Sequence, residues 1–198
     1  MTLALQQNWN IPLLGCIPDF PFLGCPALAD LERLFDTSLI TGEDKRFTHY
    51  TIEDISLVAT SLGGFLNNLR TKPSRTLYIC HVTRDDIILG FLAEYQRKKR
   101  KGETFEAALV ICGREGKYHL DQELLDMIQS AQGNDEVPIL PCPHNTTVAM
   151  EMIRKLTPKL NSSDVGRLNA AVEHYEAFID YEMLLNRTRN DANTEFGG

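Results

Sequence analysis

The sequence predicts an α/β domain in which a parallel sheet is flanked by helices. Three observations lead there. Short runs with few polar residues occur at Thr76-Leu-Tyr-Ile-Cys80, Ala107-Ala-Leu-Val-Ile-Cys112 and Val137-Pro-Ile-Leu140. Between and after them lie segments whose apolar residues recur every three or four positions, as in helices with one buried stripe. Strands without polar alternation are buried on both faces, which parallel strands joined by helical crossovers achieve. The 198 residues, 43% hydrophobic and 24% charged, suffice for one globular domain with a sizeable core.

The elements follow in order. Ile11-Pro-Leu-Leu-Gly-Cys-Ile-Pro18 is an apolar run bounded by prolines and suits a buried strand. Pro26 fits the first turn of a helix whose face carries Leu28, Leu31, Leu34 and Phe35. Leu39-Ile40 reads as a short edge strand, and 42–46 as a charged turn. Ile52, Ile55, Val58, Ala59 and Leu62 repeat at helical spacing within 50–69, and Gly63-Gly64 reads as that helix's end. After a connector at 71–75 comes the first long strand, then a helix over 84–101 with Ile87, Ile88, Phe91, Leu92 and Tyr95 inside. Its basic end, Arg97-Lys-Lys-Arg-Lys101, places cations at the negative pole of the helix dipole. Helices are also expected at 120–132, stopped by Gly133, and at 146–156. Ser162-Ser163-Asp164 offers caps for a last helix with Val165, Leu168, Val172, Tyr175 and Ile179 on its buried face. The tail from Asn186 is polar.

Composition narrows the function classes. Lys plus Arg number 20 against 27 Asp plus Glu, a formal charge of −7, which argues against nucleic acid or an anionic membrane surface as partner. No apolar stretch reaches the length of a membrane span. The N-terminal residues carry no cationic leader pattern, and five cysteines without a C-x-x-C pair make no disulfide framework. The expectation is a cytoplasmic protein with reduced thiols, in which three N-x-[ST] triplets carry no meaning.

Ligands of open parallel sheets bind beyond the carboxyl ends of the strands. Three loops qualify: Cys80-His-Val-Thr-Arg-Asp-Asp86, Cys112-Gly-Arg-Glu-Gly116 and Pro141-Cys-Pro-His-Asn-Thr-Thr147. The first and third run directly into helices, whose free N–H groups attract anions. Arg84 and Arg114 would add bidentate donors for phosphate or carboxylate, and Gly113 would admit close backbone approach. The candidate ligand-binding set is Thr83, Arg84, Asp86, Gly113, Arg114, His144 and Thr146. The competing reading is structural: Thr83 caps the next helix, Asp85 and Asp86 complement its dipole, and the glycines shape turns. Cys80, Cys112 and Cys142 gather at the strand ends with His81 and His144 nearby, but their spacing is no compact zinc motif, and no metal is assigned. No Walker loop, G-x-G-x-x-G, G-x-S-x-G or H-E-x-x-H pattern occurs, and no catalytic residue is assigned.

These loops carry a resemblance. Tyr78-Ile-Cys-His-Val-Thr-Arg-Asp-Asp-Ile-Ile-Leu-Gly-Phe-Leu92 resembles the Asp-Arg motif segment of DRTGG domains, and Leu109-Val-Ile-Cys-Gly-Arg114 occupies the place of that family's Thr-Gly-Gly motif. Val137-Pro-Ile-Leu-Pro-Cys-Pro-His-Asn-Thr-Thr147, Leu156-Thr-Pro-Lys-Leu160 and Asp164 are similar to the end of the domain. The resemblance spans residues 48–181. Upstream, Leu14-Gly-Cys-Ile-Pro18 with Cys25-Pro26 resembles the last part of a dethiobiotin-synthetase-like P-loop domain. The order is that of the middle region of phosphate acetyltransferases, with their phosphate loop and catalytic domain absent. The division so implied is a remnant at 1–46, a DRTGG-like domain at 47–185 and a tail at 186–198.

The resemblance implies a non-catalytic regulatory or assembly module, acting as a homodimer or docked to a protein partner. An alternative is a small-anion sensor for a nucleotide or acyl phosphate, with an adenine nucleotide as the first ligand to test. Another is a subunit of an acetyltransferase enzyme system. The motifs depart from the family's pattern: Val82-Thr83 stands where its Gly-Asp precedes Arg, and Cys112-Gly113-Arg114 where its Thr-Gly-Gly stands.

Overall fold

The computed structural model describes residues 13–51, 54–71, 75–113, 121–130 and 136–186. By compactness the chain divides into one unit at 24–159 and a second that joins 13–23 to 160–186 among the described residues.

The larger unit contains helix α1 (Leu28–Phe35), strand β1 (Ile55–Leu57), α2 (Leu62–Thr71), β2 (Leu77–His81), α3 (Asp85–Arg100), β3 (Ala108–Cys112), α4 (Gln122–Ser130), β4 (Ile139–Cys142) and α5 (Thr146–Lys155). The four strands form one sheet in the order β1-β2-β3-β4, every neighbouring pair parallel. This is the predicted α/β architecture.

Strand parity sorts the core into two layers. Tyr78, Cys80, Leu109, Ile111 and Ile139 face α2, α3 and α4, where Phe65, Phe91 and Ile128 are buried. Leu77, Ile79, Val110, Cys112, Leu140 and Cys142 face α1 and α5, meeting Leu31, Phe35, Ala149 and Ile153. The monotonic strand order explains this. Parallel crossovers are right-handed, so a sheet built in chain order sends every crossover helix to one face. The other face is covered by the helices before and after the sheet.

Local chemistry sets the elements. The Asp30 carboxylate reaches back to the Ala27 N–H at 2.9 Å, and α1 ends at Asp36, whose φ of 51° is left-handed. Buried Glu32 accepts the Leu39 N–H at 2.9 Å and pairs with Arg46 at 2.7 Å, fastening the following loop to α1. The edge strand expected at 39–40 appears as an antiparallel bridge between Thr41 and Ile139 along β4, and a 3-10 turn at Glu43–Lys45 fills the charged turn. Gly42 is required there: its φ is +79°, and a Cβ would lie 2.5 Å from the Pro138 Cα.

Three expectations need correction. The helix read over 50–69 is instead β1 followed by α2, and Gly63-Gly64 lies in the first turn of α2 rather than at an end. Ser61 marks the start of α2: its carbonyl accepts the Phe65 N–H at 2.9 Å, and its hydroxyl lies 3.4 Å from the Gly64 N–H. First-turn N–H groups have no helical partner, so glycine is cheap there. The strand expected at 11–18 is absent from its described residues, 13–18; Gly15 makes one antiparallel bridge to Ile179, and the segment is largely exposed. Pro18 and Pro21 lack the donors a ladder needs. On the last helix, α6 (Val165–Glu176), the buried positions are Arg167 and Ala171, while Val165 and Val172 are about 60% exposed. The stop at Gly133 and the connector residues 72–74 lie outside the described residues.

In the smaller unit Asp164 caps α6, accepting the Arg167 N–H at 3.1 Å, and also pairs with the buried Arg167 guanidinium at 3.3 Å. Asp180 donates its N–H to the Leu14 carbonyl at 2.7 Å, and the His174 ring stacks on Phe20 with centroids 4.7 Å apart. Among the described residues, no helix is long and apolar enough to cross a membrane.

Candidate functional site

The carboxyl ends of β2, β3 and β4 lie along one edge of the sheet, since all strands run the same way. Cross-strand bonds tie their loops together: the Val82 N–H donates to the Cys112 carbonyl at 2.8 Å, and the Gly113 N–H to the Cys142 carbonyl at 2.7 Å. Gly113 therefore acts through its backbone, in the sheet, and is buried.

Arg84 stands at the N-cap position of α3. Its guanidinium forks onto the Asp86 carboxylate at 2.8 and 2.9 Å, and a third N–H reaches the Thr60 carbonyl at 3.1 Å. Paired so, the Asp86 carboxyl is held below the ordinary aspartate range by the Arg84 hydrogen bond. One side chain thus clasps the loop after β1, the loop after β2 and the first turn of α3. The Arg84 side chain keeps 30% of its surface exposed, on the outer side of the clasp.

Thr83 does not cap α3. Its hydroxyl lies 2.9 Å from His81 Nδ1, which also accepts the Thr83 N–H at 3.3 Å, a closed turn of the chain on itself. The α3 cap has no side-chain acceptor of its own, and Asp85 and Asp86 in the first turn supply the negative charge its dipole attracts.

Beyond β4, the Asn145 side-chain Oδ1 caps α5 by accepting the Val148 N–H at 2.9 Å. Thr146 is the first helical residue and half-buried. His144 turns towards α1, its ring edge-on to Phe35 at 6.5 Å between centroids. Thr83, Arg84 and Asp86 are thus gathered at the β1–β2 side, and His144 and Thr146 at the β4 side. Arg114 lies outside the described residues.

The three rim cysteines divide between the faces. Cys80 points among α2, α3 and α4, while Cys112 and Cys142 point among α1 and α5. Burial pushes the Cys80 thiol up to about 12. They do not converge as metal ligands, and among the described residues no group of three metal-binding side chains meets.

Two features lay beyond the sequence reading. Thr60 supplies the carbonyl that receives Arg84. A cleft of about 340 Å³ opens beside β1, lined by Leu57, Val58, Thr60, Phe65, Asn68 and Tyr78. Both depend on β1, whose three residues read as part of a helix.

The topology also bears on the site. Ligand crevices of open parallel sheets form where strand order reverses and neighbouring loops part to opposite faces. Here the strand order does not reverse, but the loops after β2 and β3 lead to α3 and α4 on one face while the loop after β4 leads to α5 on the other, so neighbouring loops part between β3 and β4.

The DRTGG domain model matches residues 30–156, from within α1 to the end of α5. The chain belongs to the DRTGG domain family. The matched span covers the whole sheet, α2 to α5 and all but the first two residues of α1. No curated protein and no solved structure matches the chain. In this DRTGG domain, Arg84 is the hub of the strand-end loops.

Proposed function

We propose that this DRTGG domain is a non-catalytic regulatory or assembly module working in the cytoplasm. The observation that supports the reading is the mutual pairing of polar groups at the carboxyl edge of the sheet. Arg84 holds Asp86 and Thr60, His81 holds Thr83, and Asn145 caps α5. Such groups stabilise loop shape; the hydroxyl that does lie beside a base, Thr83 at His81 Nδ1, shares that ring nitrogen with its own backbone N–H. The module acts through a protein surface, with a second copy of the chain or an acetyltransferase-type enzyme as partner. The enzyme partner rests on the likeness of 14–26 to a P-loop domain remnant.

One observation favours a second reading, a sensor of a small anion such as an adenine nucleotide or acyl phosphate. Arg84 is partly exposed, and it sits at a helix N-terminus. A phosphate would replace Asp86 on the same guanidinium fork.

Thermal-shift measurements with AMP, ATP, acetyl phosphate and CoA, on wild type and Arg84→Ala, separate the two. A ligand at a hundred times its dissociation constant adds about 2.7 kcal/mol. A shift confined to wild type establishes the sensor. Absence of any shift, together with a concentration-dependent dimer in sedimentation, supports the assembly module. A strict monomer that turns over acetyl phosphate and CoA refutes both.

A further inference from the structure

We propose that Cys112 and Cys142 form a reversible intramolecular disulfide that locks the carboxyl ends of β3 and β4 together. The two are Cα partners in the parallel ladder, each the last residue of its strand. Both side chains project to the same face, in the layer beneath α1 and α5. Neighbouring strands lie about 4.8 Å apart, inside the ~4.4–6.8 Å that disulfide-linked Cα atoms span. Closing the bond needs rotation of two side chains and a small approach of the two strand ends, to bring the Cβ atoms within the ~3.5–4.5 Å of a disulfide. Cys80 is excluded because it projects to the opposite face. The inference stands independently of the regulatory reading above.

The two thiols share one buried environment. The Cys112 S–H donates to the Cys142 sulfur, which also accepts a backbone hydrogen bond from His144. The Cys112 hydrogen bond lowers the Cys142 thiol's pKa against the opposing effect of burial, while the same bond followed by burial raises that of Cys112. Either sulfur can be oxidised first; with Cys142 attacking, Cys112 resolves, and the reverse order gives the same disulfide.

With hydrogen peroxide as oxidant the chemistry balances. The Cys142 thiolate attacks one peroxide oxygen, the O–O bond breaks, and the departing hydroxide takes up the proton Cys142 had released, leaving as water. Cys142 is now a sulfenic acid. The Cys112 sulfur attacks the Cys142 sulfur, the S–S bond forms, and the sulfenic hydroxyl leaves as water with the Cys112 proton. Two thiols are oxidised by two electrons and peroxide is reduced to two waters. A dithiol reductant reverses the bond by exchange. Both residues are fully buried, which restricts the oxidant to molecules as small as peroxide.

The test uses the intact chain exposed to hydrogen peroxide, then alkylated under denaturing conditions and mapped by mass spectrometry. The expected product links the peptides carrying Cys112 and Cys142, leaves the other three of the five cysteines alkylated, and disappears with dithiothreitol. Cys80→Ser should give the same link. Cys112→Ala should give no link, with Cys142 trapped by dimedone as its sulfenic acid. If that variant does not fold, the wild-type map decides alone. Full alkylation of Cys112 and Cys142, oxidation to sulfinic acid without a link, or a link only to Cys16 or Cys25 would overturn the proposal.

Discussion

Glu94→Gln removes one negative charge from the middle of α3 while keeping the side chain's shape. Glu94 is 2% exposed, and its carboxylate accepts hydrogen bonds from Arg97 at 2.6 and 2.9 Å and from Arg70 of α2 at 3.0 and 3.2 Å. Burial alone would raise its pKa, but the bonds from Arg97 and Arg70 outweigh burial and bring it from 4.5 to about 2. Taken at face value that depression corresponds to about 3.4 kcal/mol of folding stability at neutral pH. The Arg70 side chain is half exposed and that of Arg97 30% exposed, so solvent screens both, and about 2 kcal/mol is the expected cost of the substitution. The sign in pH follows from the depressed value. The contribution is complete above the unfolded value near 4.5 and fades as pH falls towards 2. Urea unfolding of wild type and variant at pH 7 and pH 3 should show the difference shrinking to less than half at pH 3. A cost below ~0.5 kcal/mol at pH 7, or an equal cost at both pH values, would refute the clasp as a source of stability.

The same packing and pairing set four further outcomes. Asp86→Asn should enlarge any anion-induced thermal shift, because it releases the Arg84 fork; an unchanged or smaller shift would place the anion elsewhere. Asn145→Ala should cost about 1 kcal/mol in urea unfolding through loss of the α5 cap. Phe91→Ala, at a fully buried position between the sheet and α3, should cost about 3–5 kcal/mol in the same assay. Gly42→Val should destabilise by at least ~1 kcal/mol, from a positive φ and the backbone of Pro138 against the new side chain, read as a lower Tm.

Much of the sheet was legible because its central strands advertise themselves. Leu77 to Cys80 and Ala108 to Cys112 are apolar at every position, and burial on both faces admits little else. β1 was hidden because Ile55-Ser-Leu57 is short and half-exposed at an edge, so its apolar residues fell into register with a helical spacing. α6 misled for another reason: its buried positions include an arginine, which a search for apolar stripes passes over. At the candidate site, the loops were located from sequence, but their internal pairing was not. Arg84 reads equally well as an anion ligand and as the clasp of Asp86. Only the placement of Thr60, set by the unrecognised β1, brings out the second role. The parity that sends Cys80 to one face and Cys112 with Cys142 to the other follows from strand register, which spacing alone does not specify.

The unbroken strand order has a kinetic side. Each strand pairs with the next one along the chain, so ladder partners are separated by roughly 20–30 residues and no pairing must wait for a distant segment. The sheet can therefore grow one strand-and-helix unit at a time, each addition offering a fresh edge for the next. The long-range step is the closing of α1 and the Thr41 bridge onto β4, which joins the two ends of the unit. That closing layer should be the last to gain protection in pulse-labelled hydrogen exchange during refolding.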